Sequence, residues 1–333
     1  MLSRVFSWAG FVLAFVFLTA YTALAQTTIL NVSYDVSREL YKQINPAFID
    51  AWKAKTGETV TVNQSHGGSS KQAASVAEGL DADVITMNQA PDIDFLADKG
   101  LVAKDWKSKF PNDAAPYTSV SVFLVRKGNP KGIKDWSDLA KPGISVIVPN
   151  PKTSGNGRYT YLAAWGYALE NLGGADAAKD FVKKLFGNVP VFDGGGRGAT
   201  TTFSQRDVGD ALVTFENEAR LIAVEFGADK FDIVYPSLSV EAPAPVAINE
   251  KVVDKKKTRE VATAYLNFLY SPEGQAIIAK YDFRPRDEAV LRANQAKFPP
   301  VKTFDVEKLI GSWADVRKTH FADGGIYDQI SVK

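Results

Sequence analysis

The chain has 333 residues but no cysteine, two methionines and two histidines. Without thiols there is no disulfide, and with only His66 and His320 a zinc site of the usual ligand composition is not expected. Two motifs are also missing. No Gly-x-x-x-x-Gly-Lys-Ser/Thr cradles a nucleotide phosphate, and no Gly-x-Ser-x-Gly builds a nucleophile elbow. Charge of one sign is lacking as well: 39 basic side chains face 38 acidic ones, and no basic stripe marks a nucleic-acid surface. No apolar run after residue 25 approaches the length of a membrane span.

The N-terminus does carry one apolar run. Arg4 precedes Val12 to Leu18, and Ala23-Leu24-Ala25 follows before Gln26. A basic residue, an apolar core and a small-residue site make a secretory signal peptide, residues 1–25, cleaved after Ala25. The expected product is exported to the periplasm. Losing Arg4 leaves 38 basic against 38 acidic side chains, and losing Met1 leaves Met87 as the one sulfur atom. Such economy suits a protein made in quantity when sulfur is scarce. About 300 mature residues favour two domains.

Strand and helix signals alternate along most of the chain. Thr28 to Tyr34 is β-branched and aromatic, and Asp35 stands where the helix containing Arg38-Glu39-Leu40-Tyr41 needs a cap. Further strands are expected over Thr59–Val62, Ala82–Met87 and Ser119–Val125. The class is α/β, with mixed sheets flanked by helices. Two extended connectors, one entering Ser119–Val125 and one over Ser237–Ile248, divide the chain. The expected lobes are 26–116 plus 246–333, with a C-terminal tail able to span both, and 117–245 including the hinge strands. Two such lobes can close around a ligand.

Three glycine- and hydroxyl-rich turns stand where strands hand over to helices: Ser65 to Ser70, Thr153 to Gly157, and Asp193 to Thr200. Glycine lets backbone N–H groups approach a ligand, and a helix N-terminus favours an anion. Each turn alone is equally an ordinary βα turn with its cap. Ser69 and Ser154 carry hydroxyls that either cap or donate. Arg158 and Arg197, just beyond their turns, either meet an anion or brace the loop. His66 near Ser69 also invites an exported serine hydrolase as an alternative, although the orienting acid and strained elbow are missing.

Several segments in order carry a resemblance over essentially the whole mature chain. Asn31-Val32-Ser33-Tyr34-Asp35, Gln64 to Ser69, Pro149 to Asn156, Tyr161 to Gly166 and Gly195 to Phe203 are similar to the periplasmic sulfate- and thiosulfate-binding proteins of bacterial ABC importers. The resemblance implies the two-lobed type II periplasmic binding protein fold, joined by two extended hinge strands. It implies no catalysis, no cofactor and no metal, and a monomer that delivers sulfate or thiosulfate to permease subunits. Carried over by motif, it puts backbone donors at Asp35, Gly155, Asn156 and Gly196, with Ser69 and the Ser154 hydroxyl completing the ring. His66, Arg158 and Arg197 are then supporting residues without ligand contact.

An all-donor pocket suits sulfate, which only accepts. Monohydrogen phosphate carries a proton that would face another donor, at a cost of about 1–3 kcal/mol. Phosphate or molybdate binding is the alternative within this class, and an Asp35 carboxylate pointing into the cleft would favour phosphate. Where the sulfate-specific members have an indole donor, this chain has Phe215, which cannot donate. The thiosulfate-binding branch resembles the chain here and at Asn88-Gln89. Thiosulfate's terminal sulfur is a poor acceptor, so an apolar ring beside it loses little.

Overall fold

The computed structural model describes residues 27–331, so the expected signal peptide and its cleavage site lie outside the described residues. Two sheets organise the chain. The first has Thr27–Tyr34 at its centre, parallel to Val60–Gly67 on one side and to Val84–Thr86 on the other, with Val246–Ile248 antiparallel at the edge. The three parallel strands therefore end together at Tyr34, Gly67 and Thr86. Their alternation of β-branched and polar residues pairs in full register, from Thr27 opposite Val60 to Tyr34 opposite Gly67.

The second sheet is built on Tyr117–Arg126, buried along nearly its whole length because helices or strands cover both faces. It pairs antiparallel with Ala211–Phe215, Phe231–Val234, Ser239–Pro243 and Arg284–Pro285. Beyond Ala211–Phe215 lie Val146–Pro149 and Phe192–Asp193, all three parallel to one another. These strands end at Phe215, Pro149 and Asp193. The first-sheet and second-sheet strand ends carry the three glycine turns between them.

Two crossings between the sheets run side by side and hold each other, and a third takes the chain back to the second sheet at Arg284–Pro285. Thr118 pairs with Pro243 and Ser119 with Ala242, and the Ala244 N–H donates to the Tyr117 carbonyl at 3.0 Å. Proline on either side keeps both segments extended, and Gln275 Nε2 donates to the Pro116 carbonyl at 2.9 Å. The result is the two-lobed α/β fold of the type expected.

Every residue of the helix Gly155–Ala168 is buried: from Tyr161 on it is apolar or aromatic, while its first turns also bury the polar Asn156, Arg158 and Thr160. The C-terminal segment covers it. Trp313 packs edge-on against Tyr159 at 5.9 Å, His320 accepts or donates through Nδ1 with Tyr161 Oη at 2.9 Å, and Phe321 lies 5.1 Å from Tyr161. Burial pulls the His320 pKa down to about 4, so it is neutral in this packing. The tail thus lies on the helices of the second sheet, and Thr303–Phe304 adds a parallel strand to Ser239–Pro243. Residues 250–280 stay with the first sheet, where Tyr265 meets Phe48 at 5.1 Å. None of the described helices is long and apolar enough to cross a membrane.

A buried ion pair ties the late segment to the second lobe. Glu216, fully buried, accepts Arg284 Nε at 2.7 Å, Arg284 Nη2 at 3.1 Å and the Tyr235 hydroxyl at 2.8 Å. Removing the cation takes away two short hydrogen bonds and leaves the buried charge only the more distant cation of Arg220, with Nη2 3.8 Å from Oε1. Arg284→Ala is expected to lose about 3 kcal/mol in urea unfolding, with Arg284→Lys intermediate. A midpoint unchanged in Arg284→Ala would contradict this placement.

Candidate functional site

The strand ends of both lobes face one narrow gap, and glycines let their backbones touch across it. A methyl group on Gly68 would sit 2.5 Å from the Thr153 carbonyl oxygen and 2.8 Å from that of Gly194. One on Gly195 would overlap the Asp35 carboxylate, and one on Gly155 the Asn88 amide. Thr153 Oγ1 also donates to the Gly194 carbonyl at 3.1 Å. The three turns singled out in the sequence therefore meet at one point.

The turns bring helix N-termini with them. Ser154 is the N-cap of Gly155–Ala168, and its Oγ accepts from the Gly157 N–H at 3.5 Å. A hydroxyl that accepts in this way keeps its own proton to give away. The N–H groups of Gly155 and Asn156 belong to the first turn and have no intrahelical acceptor. Ser69 opens the helix Ser69–Ala77 behind the cap residue Gly68, and the first intrahelical bond there runs from Gln72 to Gly68. Gly196 opens the short helix Gly196–Thr200. All these groups are donors, and none carries a formal charge.

Two details depart from the expectation. Asp35 does not cap the helix Arg38–Thr56, whose N-cap is Ser37; it lies inside a short 3₁₀ turn, Asp35–Ser37, that follows extended Tyr34. Its carboxylate accepts from the Val36 N–H at 3.0 Å and, across the gap, from the Arg197 N–H at 3.1 Å. Burial raises its pKa, and those two donors oppose the rise. Ser69, expected among the donors to the ligand, gives its hydroxyl proton to Asp92 Oδ2 at 2.5 Å. What Ser69 keeps for a ligand is its backbone N–H.

Asp92 was not legible in the sequence and proves to be a hub. Besides Ser69 it accepts Ser70 Oγ at 2.9 Å and Gln89 Nε2 at 2.7 Å, with Arg158 Nη1 at 3.9 Å from the other lobe. Arg158 is buried, lies 5.0 Å from the Phe321 ring, and has its pKa lowered by that burial. It braces the lobes. Arg197 points away from the gap as well, to Glu218 and Glu225, each at 3.2 Å.

His66 Nδ1 lies 2.8 Å from Ser33 Oγ, and burial takes its pKa down to about 4. The histidine and serine that a hydrolase would join are thus each engaged elsewhere. Asn156 Nδ2 donates to Thr214 Oγ1 at 2.9 Å, next to Phe215. The Phe215 ring is buried and packs edge-to-face on Tyr159, with centroids 6.0 Å apart. The arrangement can hold a small oxyanion by hydrogen bonds and lacks an activated nucleophile.

A family model described as bacterial extracellular solute-binding protein matches residues 31–284. The chain is 61% identical over 309 residues to the thiosulfate-binding protein of Pseudomonas aeruginosa, covering 92% of this chain and 93% of that one. It is 55% identical over 304 residues to the sulfate-binding protein of Salmonella typhimurium, covering 91% and 92%. Among solved structures, the sulfate-binding protein SubI from Mycobacterium tuberculosis superposes with a TM-score of 0.80 at 35% identity, covering 89% of this chain and all of that one.

The Arg197 partner Glu218 makes the site's surroundings sensitive to pH. Burial lifts its carboxyl from 4.5 to about 7, against the opposing pull of Arg197 and of Thr200 Oγ1, 2.5 Å away. The folded chain holds a proton there that the unfolded chain releases. That contribution is complete below pH 4.5 and is lost as pH rises through about 7. Thermal unfolding across this window is expected to show Glu218→Gln losing less stability with rising pH than the parent. Parallel profiles would contradict it.

Proposed function

The chain belongs to the bacterial extracellular solute-binding proteins, in the group of sulfate- and thiosulfate-binding proteins, and from that premise we propose that it captures either dianion between its lobes in the periplasm and delivers it to an ABC permease. The observation that carries the reading is the meeting of two helix N-termini, at Ser69 and Gly155, with the free hydroxyl proton of Ser154. Backbone N–H groups of Asp35, Ser69, Gly155, Asn156 and Gly196 and the Ser154 hydroxyl would surround the anion. Each hydrogen bond to a charged partner contributes about 1.5–3 kcal/mol, so six suffice for tight binding after the cost of closure.

Selectivity would come from donors alone. Sulfate and thiosulfate accept hydrogen bonds from every side, whereas hydrogen phosphate and other protonated oxyanions bring a donor of their own. The one carboxylate at the gap, Asp35, is already engaged by the Val36 and Arg197 N–H groups, which favours the unprotonated dianions over phosphate. Lobe closure would be driven by the ligand's preference for the closed arrangement, in which donors from both lobes reach it together. We divide the lobes by their sheets, with the C-terminal tail on the second.

Between the two sulfur anions, Phe215 favours thiosulfate, whose large terminal sulfur loses little beside an apolar ring. Calorimetric titration of refolded, anion-free protein is expected to show thiosulfate binding at least as tightly as sulfate, with phosphate failing to compete at large excess. Far weaker thiosulfate binding would overturn the assignment. In Phe215→Trp, which restores an indole N–H, the affinity ratio is expected to move toward sulfate by about fivefold or more. An unchanged ratio would show that the ring does not face the anion.

A further inference from the structure

Asn88 follows the strand Val84–Thr86 at the ligand-facing edge of the first sheet and is only 4% exposed. Its neighbour Gln89 is tied to Ser70 and Asp92. Asn88 has no such role. Its Oδ1 is buried without a hydrogen-bond partner among the described residues. A buried amide carbonyl left unpaired is unfavourable, and native interiors rarely keep one without a use for it.

The position of the amide supplies that use. It lies over the Cα of Gly155, where an added methyl would overlap Oδ1 and come within 2.7 Å of Cγ and 2.9 Å of Nδ2. Gly155 is the first residue of a helix of 14 residues, at the point where its unpaired N–H groups emerge. The first lobe thus places an uncommitted amide beside the donors of the second. Turned half a revolution about its last torsion, the same group presents N–H where the carbonyl now lies.

Resting on the reading of the cleft as a sulfate or thiosulfate site, we propose that Asn88 is a further anion-contacting residue, donating a side-chain N–H to a ligand oxygen from the first lobe while Gly155 and Asn156 donate from the second. It is a neutral donor, in keeping with the rest of the ring. Its contact forms only when the lobes are closed, because the amide and the Gly155 helix belong to different lobes. Asn88 therefore couples ligand binding to closure.

The test is calorimetric titration of sulfate, thiosulfate and phosphate into the full mature protein and two variants, with thermal unfolding of each anion-free form alongside. Asn88→Ala is expected to bind sulfate and thiosulfate about tenfold more weakly. Asn88→Asp keeps the size of the side chain, so packing is held constant. Its carboxylate is expected to weaken both fully ionised dianions by more than about a hundredfold, and hydrogen phosphate far less, because the carboxylate accepts its proton. A purely structural role would not reorder the anions. Parent binding with Asn88→Ala affinities within about twofold, or with Asn88→Asp keeping the parent's anion order, overturns this inference alone. Failure of the parent to bind either sulfur anion overturns the reading of the cleft together with it.

Discussion

Everything at the gap depends on one steric fact: the Gly68 Cα approaches two backbone carbonyls of the opposite lobe, Thr153 and Gly194, with no room for a side chain between them. Gly155 and Gly195 repeat the condition against Asn88 and Asp35. Side chains at these positions would hold the lobes apart by roughly their own thickness. Backbone N–H groups are short donors, and they surround a ligand about as small as a tetrahedral oxyanion only when the chains that carry them touch. The glycines are therefore required less for their own flexibility than for the absence of a Cβ.

This closeness accounts for where the charges are. A formal charge inside so small a ring would need its own partner, and the structure instead pairs charges behind the ring. Asp92 collects Ser69, Ser70, Gln89 and, more loosely, Arg158. Arg197 gives its backbone N–H to Asp35 across the gap and its guanidinium to Glu218 and Glu225 behind it. Each of these contacts ties down one of the turns at the gap. A dianion would then be held by directed neutral dipoles in a chain of nearly balanced charge, 39 basic against 38 acidic side chains.

Much of this was legible in the sequence because glycine, serine and threonine clusters at strand ends have few other uses in such number. The alternation of strand and helix and the extended crossings were readable for the same local reasons. What stayed hidden depends on contacts distant in sequence. Nothing in Pro91-Asp92-Ile93-Asp94 tells Asp92, the hub of the first lobe, from Asp94, which accepts from Trp106 Nε1. Glu216 and Glu218 stand in the acidic first turn of a helix, a local pattern that carries no sign of burial, yet both are fully buried. The tail carries Trp313, His320, Phe321 and Tyr327 on short elements with no shared period, so its partner, the Gly155–Ala168 helix, appears only in three dimensions.

The central claim is that the anion is held by backbones brought into contact, so the most direct measurement is the affinity of Gly68→Ala for thiosulfate compared with the parent, each protein's anion-free thermal midpoint being recorded alongside. The three atoms nearest the added methyl all belong to the opposite lobe, the Thr153 carbonyl carbon and oxygen and the Gly194 carbonyl oxygen. Gly68→Ala is expected to lose at least roughly tenfold in affinity with the anion-free midpoint nearly unchanged. Parent-like affinity in Gly68→Ala would contradict it.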